Sequence, residues 1–205
     1  NSMKKGLDRI SNINDIFGNK TKIMIDCHWR FNYEASIELL NECKKFDLYW
    51  LECPIPENFE NINSIRKLRS IANKFGIKLA GLEKKILKDG FYKFLIGEAY
   101  DVMMPDIKYA GGPDEMIEIE KLFLKKNVEF SPHNPTGPIS HIHTLHVCAS
   151  VKNNALMEHQ FEETSYFQKL LSSSLPKIVN GKSQINTVAS GLGNSINKIV
   201  LKDLS

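Results

Sequence analysis

The runs KIMID (residues 22–26), LYWLE (residues 48–52) and IKLAGLE (residues 77–83) are short, mostly apolar segments that each end in a carboxylate. Similar runs follow and end in Asp106, His133 and Glu158. The six polar ends stand at residues 26, 52, 83, 106, 133 and 158, so they are 23–31 residues apart. Amphipathic stretches with helical spacing lie between the runs, such as Ile37, Leu40 and Cys43. Strands alternating with helices at this period indicate βαβ units and therefore a parallel sheet.

Two parallel architectures compete for this pattern. A doubly wound sheet usually carries a glycine-rich phosphate loop after its first strand. The close glycine pairs here, Gly111-Gly112 and Gly191-Leu-Gly193, do not form a G-x-G-x-x-G motif. A barrel instead gathers polar residues from the C-terminal ends of many strands at one mouth. Six consecutive polar strand ends favour an α/β fold of the TIM-barrel type.

The strand count falls short of a closed barrel. Residues 4–17 predict a helix that precedes the first detectable strand, with apolar positions at Leu7, Ile10, Ile13 and Phe17. A closed barrel has eight strands and typically about 250 residues. We therefore expect residues 1–205 to form a single, partial barrel domain that starts at the helix after the first strand.

Composition excludes several classes of protein. Hydrophobic residues make up 42% and charged residues 25% of the chain, which is typical of a globular domain. The net charge of +3 comes from lysines spread along the whole chain, so we expect no nucleic-acid partner. No apolar run is long enough to cross a bilayer, and no signal segment opens the chain. The four cysteines form no C-x-x-C pair, which favours reduced thiols and a cytoplasmic location.

Asp26, Glu52 and Glu83 end three adjacent strands and are the candidate metal ligands. Three neighbouring carboxylates repel one another, and without a cation at least one would take up a proton. An all-oxygen ligand set suits a hard divalent cation such as Mg²⁺. The alternative is that these acids only form salt bridges with nearby lysines such as Lys84 and Lys85.

Asp106 and His133 end the next two strands and are a candidate acid–base pair. A histidine hydrogen-bonded to a carboxylate is held in one tautomer and made more basic, as a general base requires. The alternative is a histidine that only packs or caps a helix. A second group, His141, His143 and His146, predicts a helix with solvent-facing histidines rather than a second metal site.

Together these motifs resemble the mandelate racemase subgroup of the enolase superfamily. The matching segments are Asp26, Glu52 in LECPIPEN, Glu83 in LAGLE, Asp106 in MPDIKYAGG and His133 in SPHNPTGPI. The resemblance implies a modified (β/α)7β TIM barrel, Mg²⁺ at Asp26, Glu52 and Glu83, and a base dyad of Asp106 and His133. It also implies that Glu158 hydrogen-bonds substrate. The family's N-terminal capping domain and the first strand with its K-x-K motif have no counterpart in these residues.

The segment Asp26-Cys-His28, continued by Arg30, is similar to acid-sugar dehydratases of the galactonate type. The resemblance implies that His133 removes the proton α to a sugar-acid carboxylate and that His28 protonates the departing 3-hydroxyl. The implied activity is a Mg²⁺-dependent hydro-lyase, active if the absent parts come from elsewhere. A racemase or epimerase, or a non-catalytic fragment that acts in oligomerisation, are the alternatives. We expect a homo-oligomer or an N-terminal partner segment that completes the barrel.

Overall fold

The computed structural model describes residues 2–153, 156–160, 164–185 and 188–203. Five parallel strands form one sheet in the order β1-β2-β3-β4-β5. Their bounds are β1 Ile23–Asp26, β2 Leu48–Glu52, β3 Lys78–Gly81, β4 Val102–Met103 and β5 Glu129–Phe130. Strand order therefore equals chain order, as in a barrel built from successive βαβ units.

Helices connect the strands and flank the sheet. They are α1 Ser2–Phe17, α2 Tyr33–Cys43, α3 Ile62–Lys74, α4 Leu87–Ile96, α5 Ile107–Ala110, α6 Pro113–Leu124, α7 Pro138–Ser150 and α8 Lys198–Asp203. A two-stranded antiparallel hairpin of β6 Ile178–Val179 and β7 Lys182–Ser183 precedes α8. The predicted helix over residues 4–17 corresponds to α1, and the other periodic stretches correspond to α2, α3 and α6.

The two faces of the sheet bury different sets of side chains, as the two-residue period of a strand requires. On one face Leu51, Leu79 and Met103 pack with the apolar sides of the helices in the main core. Alternate positions form a second, smaller cluster of Trp50, Ala80, Val102 and Met104. Burial on both faces is typical of barrel strands covered by helices, and it explains why the runs are almost continuously apolar.

The last predicted strand, residues 155–158, is a point where the structure differs from the sequence prediction. Ala155 lies outside the described residues, and residues 156–160 contain no regular strand. This segment nevertheless lies beside the end of β5: the Ser131 hydroxyl donates to the Leu156 carbonyl at 2.6 Å. The Glu158 amide donates to the Pro132 carbonyl at 3.3 Å. Because β5 has two residues and is followed by prolines, it cannot offer a longer ladder.

The prediction that the histidines of α7 all face solvent is wrong for His141. Its side chain is 2% exposed, whereas His143 and His146 are partly exposed. His141 lies in the first turn of α7, and helical side chains point back toward the N-terminus. The ring is therefore placed under the preceding loop, residues 131–137, rather than into water.

Among the helices of the described residues, none combines the length and the apolar character that a bilayer-spanning segment requires. The largest apolar surfaces exposed on α1 are those of Ile13, Ile16 and Phe17. They lie on the helix that precedes β1, the strand at the edge of the sheet.

We expect the 205-residue chain alone to self-associate through the free edge of β1. Within the described residues β1 pairs with β2 only, so its other edge presents unpaired N–H and C=O groups. Each such group costs about 1–3 kcal/mol when buried without a partner. Light scattering at low micromolar concentration should give a mass above the 23.4 kDa of one chain.

The exposed side chain of Met24 provides the matched test of this edge, because charges on edge strands oppose edge-to-edge pairing. Met24→Lys should lower the measured mass, while Leu124→Lys, a similar change at an exposed position on α6, should leave it unchanged. A compact monomer at all concentrations for the unsubstituted chain would contradict the prediction.

Candidate active site

The predicted site residues lie at the C-terminal ends of five adjacent parallel strands. Asp26 and Glu52 are the last residues of β1 and β2, and they face each other in register. Glu83 follows β3 by two residues. Asp106 and His133 each follow their strands, β4 and β5, by three residues. Because parallel strands end at the same edge of the sheet, all five side chains lie on the side where barrel enzymes carry their active sites.

The carboxylates of Asp26 and Glu52 form the centre of a group with the spacing of metal ligands. Their oxygens and the Cys53 sulfur lie within 4.8 Å of one another, and the described residues contain no other such group of three. The thiol of Cys53 is fully buried and donates to the Glu57 carboxylate at 3.7 Å. Burial raises the pKa of this thiol, so it acts here as a hydrogen-bond donor. Hard oxygen ligands remain, which suit a cation such as Mg²⁺.

Glu52 is a buried carboxylate with other carboxylates as neighbours. Burial, together with the charges of Asp26, Glu158 and Glu83, raises its pKa to about 8. Its Oε2 accepts a hydrogen bond from Trp50 Nε1 at 3.1 Å, which fixes the orientation of the carboxylate. Burial also raises the pKa of Glu83. A divalent cation would relieve this excess of negative charge. Asp26 and Glu52 supply two oxygen ligands at metal-ligand spacing, whereas Glu83, the third predicted ligand, lies outside the 4.8 Å group.

The second part of the site is the pair formed by Asp106 and His133. His133 Nδ1 lies 2.8 Å from Asp106 Oδ2. Burial opposes the charge on Asp106, but hydrogen bonds from His133 and from the Lys108 amide outweigh it and hold the pKa of Asp106 below its usual range. Burial likewise opposes protonation of His133, but Asp106, Glu83 and Glu158 outweigh it and raise the pKa of the imidazole. The geometry is that of an oriented base.

The two parts of the site are in contact through Glu83. Its Oε2 lies 3.3 Å from His133 Nε2, so the imidazole stands between Asp106 and Glu83. Lys84 Nζ lies 3.9 Å from Glu83 Oε1, whereas Lys85 donates to the backbone carbonyl of Glu57. Within the described residues, the salt-bridge alternative thus supplies a lysine to Glu83 but to neither Asp26 nor Glu52.

Glu158 and His28 lie at opposite ends of the row of strands. Glu158 Oε2 accepts a hydrogen bond from the Asn134 amide at 2.7 Å. His28 lies in the turn after β1, with its Nδ1 3.5 Å from Asp26 Oδ2 and its amide donating to Asp26 Oδ1 at 2.8 Å. The His28 side chain is about half exposed, at 51%. It has a positive φ of 48°, a conformation that costs energy in a non-glycine residue and is common near functional sites.

Three further residues of the site were not identified from the sequence. Lys108 Nζ lies 3.4 Å from Asp106 Oδ2 and also contacts Thr136. Glu57 accepts hydrogen bonds from the Tyr100 hydroxyl at 2.8 Å and the Leu82 amide at 2.7 Å. Asn134 holds Glu158, as described above. The signal for Glu57 was its charge within the apolar context of LECPIPEN, whereas surface lysines are too common for Lys108 to stand out.

Carboxylates and a histidine–aspartate pair at successive strand ends of a parallel α/β barrel are typical of one class of enzyme domain. The family model described as enolase C-terminal domain-like matches residues 1–200, and the chain belongs to this family. The chain is also similar to solved structures of the class. It superimposes on the 3,6-anhydro-D-galactonate cycloisomerase from Zobellia galactanivorans with a TM-score of 0.89 and 27% identity, over 98% of this chain and 55% of that one.

Curated relatives are sugar-acid dehydratases. The chain is 25% identical over 180 residues to the arabinonate dehydratase of Saccharolobus solfataricus, which covers 88% of this chain and 46% of the relative. It is 26% identical over 173 residues to the D-xylonate dehydratase of Haloferax volcanii, which covers 84% of this chain and 40% of the relative. The chain therefore spans less than half the length of these relatives.

Metal affinity should depend on pH through Glu52. Since its pKa is raised to about 8, protons compete with the cation below that pH, and Mg²⁺ affinity should fall about tenfold per pH unit. At a Mg²⁺ concentration about 100 times the Kd, binding to the folded state adds about 2.7 kcal/mol. For a chain of this size that corresponds to a rise in Tm of about 5–10 °C. Thermal melts with and without Mg²⁺ at pH 8.5 and 6.5 measure both effects.

In the metal-free chain, the effect of pH on folding stability through Glu52 has the opposite sign. A carboxyl group whose pKa is higher in the folded than in the unfolded state stabilises the fold at low pH, and this contribution is lost as pH rises through about 8. Glu52→Gln should abolish the Mg²⁺-induced rise in Tm, while Glu118→Gln, at an exposed carboxylate on α6, should preserve it. An equal rise in the chain and in Glu52→Gln would rule out the site.

Proposed function

We propose that the chain carries the catalytic residues of a Mg²⁺-dependent acid-sugar dehydratase. The observation that carries this proposal is the His133–Asp106 pair, joined at 2.8 Å and placed 3.3 Å from Glu83, the third candidate metal ligand. A base beside a cation site is what removal of a proton α to a carboxylate requires, because that proton is only weakly acidic.

The proposed metal ligands are Asp26, Glu52 and Glu83. When bound, a divalent cation acts as a Lewis acid that stabilises the charge developing on the substrate carboxylate. Trp50 keeps the Glu52 carboxylate oriented through its indole N–H. The burial of Glu52 and Glu83, at 8% and 3% exposed, limits their motion and strengthens the electrostatic interactions of the site.

His133 is the proposed base. Because ionised Asp106 can only accept a hydrogen bond, it requires a proton on His133 Nδ1, and the free electron pair is then on Nε2. Asp106 is itself fixed, since its other oxygen accepts the Lys108 amide at 2.8 Å and caps α5. The Nε2 atom faces the side of the barrel where Glu83 lies, and there it would take the α-proton.

His28 is the proposed acid that protonates the departing 3-hydroxyl. Its half-exposed ring stands beside Asp26, so it can reach a substrate bound at the cation. Glu158, at the other end of the row, is proposed to hydrogen-bond a substrate hydroxyl. The roles are separable, because proton removal precedes the departure of water.

A sugar-acid carboxylate is the proposed ligand, supported by the names of the relatives, which act on arabinonate and D-xylonate. The four cysteines Cys27, Cys43, Cys53 and Cys148 are free thiols. We propose a cytoplasmic location on this basis. Because the chain spans less than half of these relatives, we propose further that catalysis also needs segments that correspond to the rest of their length.

Two substitutions should separate the histidine roles. His133→Asn should abolish deuterium incorporation α to the carboxylate, because it removes the base. His28→Asn should retain incorporation but lower the rate of water release by at least about 100-fold. This factor is the low end of what a general acid contributes. NMR of a sugar-acid panel incubated with the chain and Mg²⁺ in deuterated buffer measures incorporation and product together.

His143→Asn, a change at a partly exposed histidine on α7, is the control and should alter neither rate. Equal loss of incorporation in the His133 and His28 variants would show that the two roles are not divided in this way. Incorporation without any release of water by the unsubstituted chain would instead favour an epimerase.

A further inference from the structure

We propose that Asn134 and His141 form a clamp that orients the Glu158 carboxylate at the mouth of the barrel, so that both are positioning residues of the site. The consequence for catalysis rests on the proposed function, but the clamp itself does not. Glu158 is an exposed residue on a segment without regular secondary structure. Some other contact must therefore hold its carboxylate in place.

Asn134 contacts Glu158 at two points. Its backbone amide donates to Glu158 Oε2 at 2.7 Å. Its side-chain Nδ2 donates to the Glu158 backbone carbonyl at 3.1 Å. Asn134, which immediately follows His133 in the chain, thus contacts both the side chain and the backbone of Glu158. The two-point contact ties the position of Glu158 to the loop that carries the proposed base.

His141 fixes the orientation of the Asn134 side-chain amide. Asn134 Nδ2 lies 2.9 Å from His141 Nδ1, and both residues are buried, at 3% and 2% exposed. Since Nδ2 carries only hydrogens, the ring nitrogen facing it must accept, which places the imidazole proton on Nε2. Burial, with a smaller effect of His159, lowers the pKa of His141 to about 4, consistent with a neutral ring. Both hydrogens of the Asn134 amide group are then used, one toward His141 and one toward Glu158.

Two buried atoms of the clamp lack hydrogen-bond partners within the described part of the chain. They are Asn134 Oδ1 and His141 Nε2. Buried polar atoms are satisfied in most proteins, and apolar residues would pack the start of α7 without this penalty. What the pair supplies is the donor geometry of the Asn134 side-chain amide, whose Nδ2 contacts both His141 Nδ1 and the Glu158 carbonyl.

The His159 ring completes the arrangement. It meets the His141 ring edge-on, with 4.7 Å between centroids. Glu158 thus contacts Asn134, and the next residue in the chain, His159, packs on His141. Three separate segments, the loop after β5, the first turn of α7 and residues 156–160, meet at this point, and none of them is held there by a sheet ladder.

The direct test uses amide exchange of the ¹⁵N-labelled chain, followed by NMR. In His141→Phe, the Asn134 backbone amide, which donates to Glu158 Oε2, should exchange at least tenfold faster than in the unsubstituted chain. His141→Gln supplies an amide oxygen that can accept from Asn134 Nδ2, so protection should return. His146→Phe, the same change at a partly exposed position on α7, is the control and should leave the Asn134 amide unchanged.

Unchanged protection of the Asn134 amide in His141→Phe would overturn the clamp. Faster exchange throughout α7 and β5 in both His141→Phe and His141→Gln would show a merely structural role and would also overturn it. If His141→Phe does not fold, Asn134→Asp makes the same test, because it keeps the size of the side chain and its backbone N–H but removes the donors to His141.

Deuterium incorporation into sugar acids separates the clamp from the proposed function. If the unsubstituted chain incorporates deuterium, His141→Phe should lower kcat about tenfold with a smaller change in KM, and His141→Gln should restore it. An unchanged kcat together with faster exchange of the Asn134 backbone amide would overturn the positioning role. If the unsubstituted chain incorporates none at saturating Mg²⁺, the proposed function fails for this chain, while the exchange data still decide the clamp.

Discussion

Crowding of negative charge at the strand ends is the constraint on which the rest of the site depends. The parallel register of β1 and β2 places Asp26 directly beside Glu52, and Glu83 and Glu158 add to the same field. A sheet of this order cannot separate these groups, because neighbouring strands lie only about 4.8 Å apart. The charge must therefore be relieved by protons or by a cation. Burial first, and then the charges of Asp26, Glu158 and Glu83, raise the pKa of Glu52 to about 8.

The same negative charge also acts on His133, the proposed base. His133 stands between Asp106, whose pKa is held low, and Glu83, whose pKa is raised. The two carboxylates therefore differ in what they can do. Asp106 is a fixed acceptor that sets the tautomer of the imidazole, whereas Glu83 can exchange its contact with His133 for a cation. A cation bound at Glu83 would weaken the attraction that keeps His133 protonated, which would favour the free base.

The parts of the fold that could be predicted from the sequence share one property: they depend on local pattern. Apolar runs that end in Asp26, Glu52 and Glu83 were enough to predict the first three strands and the edge of the sheet at which these side chains lie. The buried position of His141 could not be predicted, because it depends on the path of the loop that α7 follows. The contacts of Asn134 with Glu158 and of Glu57 with Leu82 likewise join residues that are 24 and 25 positions apart in the chain. Such contacts leave no periodic signal in one sequence.

The length of the strands explains why those contacts between segments are needed. β1 and β2 have four and five residues and end in their site residues, so the ladder itself positions Asp26 and Glu52. β4 and β5 have two residues each, and Asp106 and His133 lie three residues beyond them. Backbone hydrogen bonds of the sheet ladder continue only to Met104 and Ser131, one residue past each strand, and so do not fix the side chains of Asp106 and His133. Side-chain hydrogen bonds must do so, and the Asp106–His133 bond and the Asn134–Glu158 bonds are found in this half of the barrel.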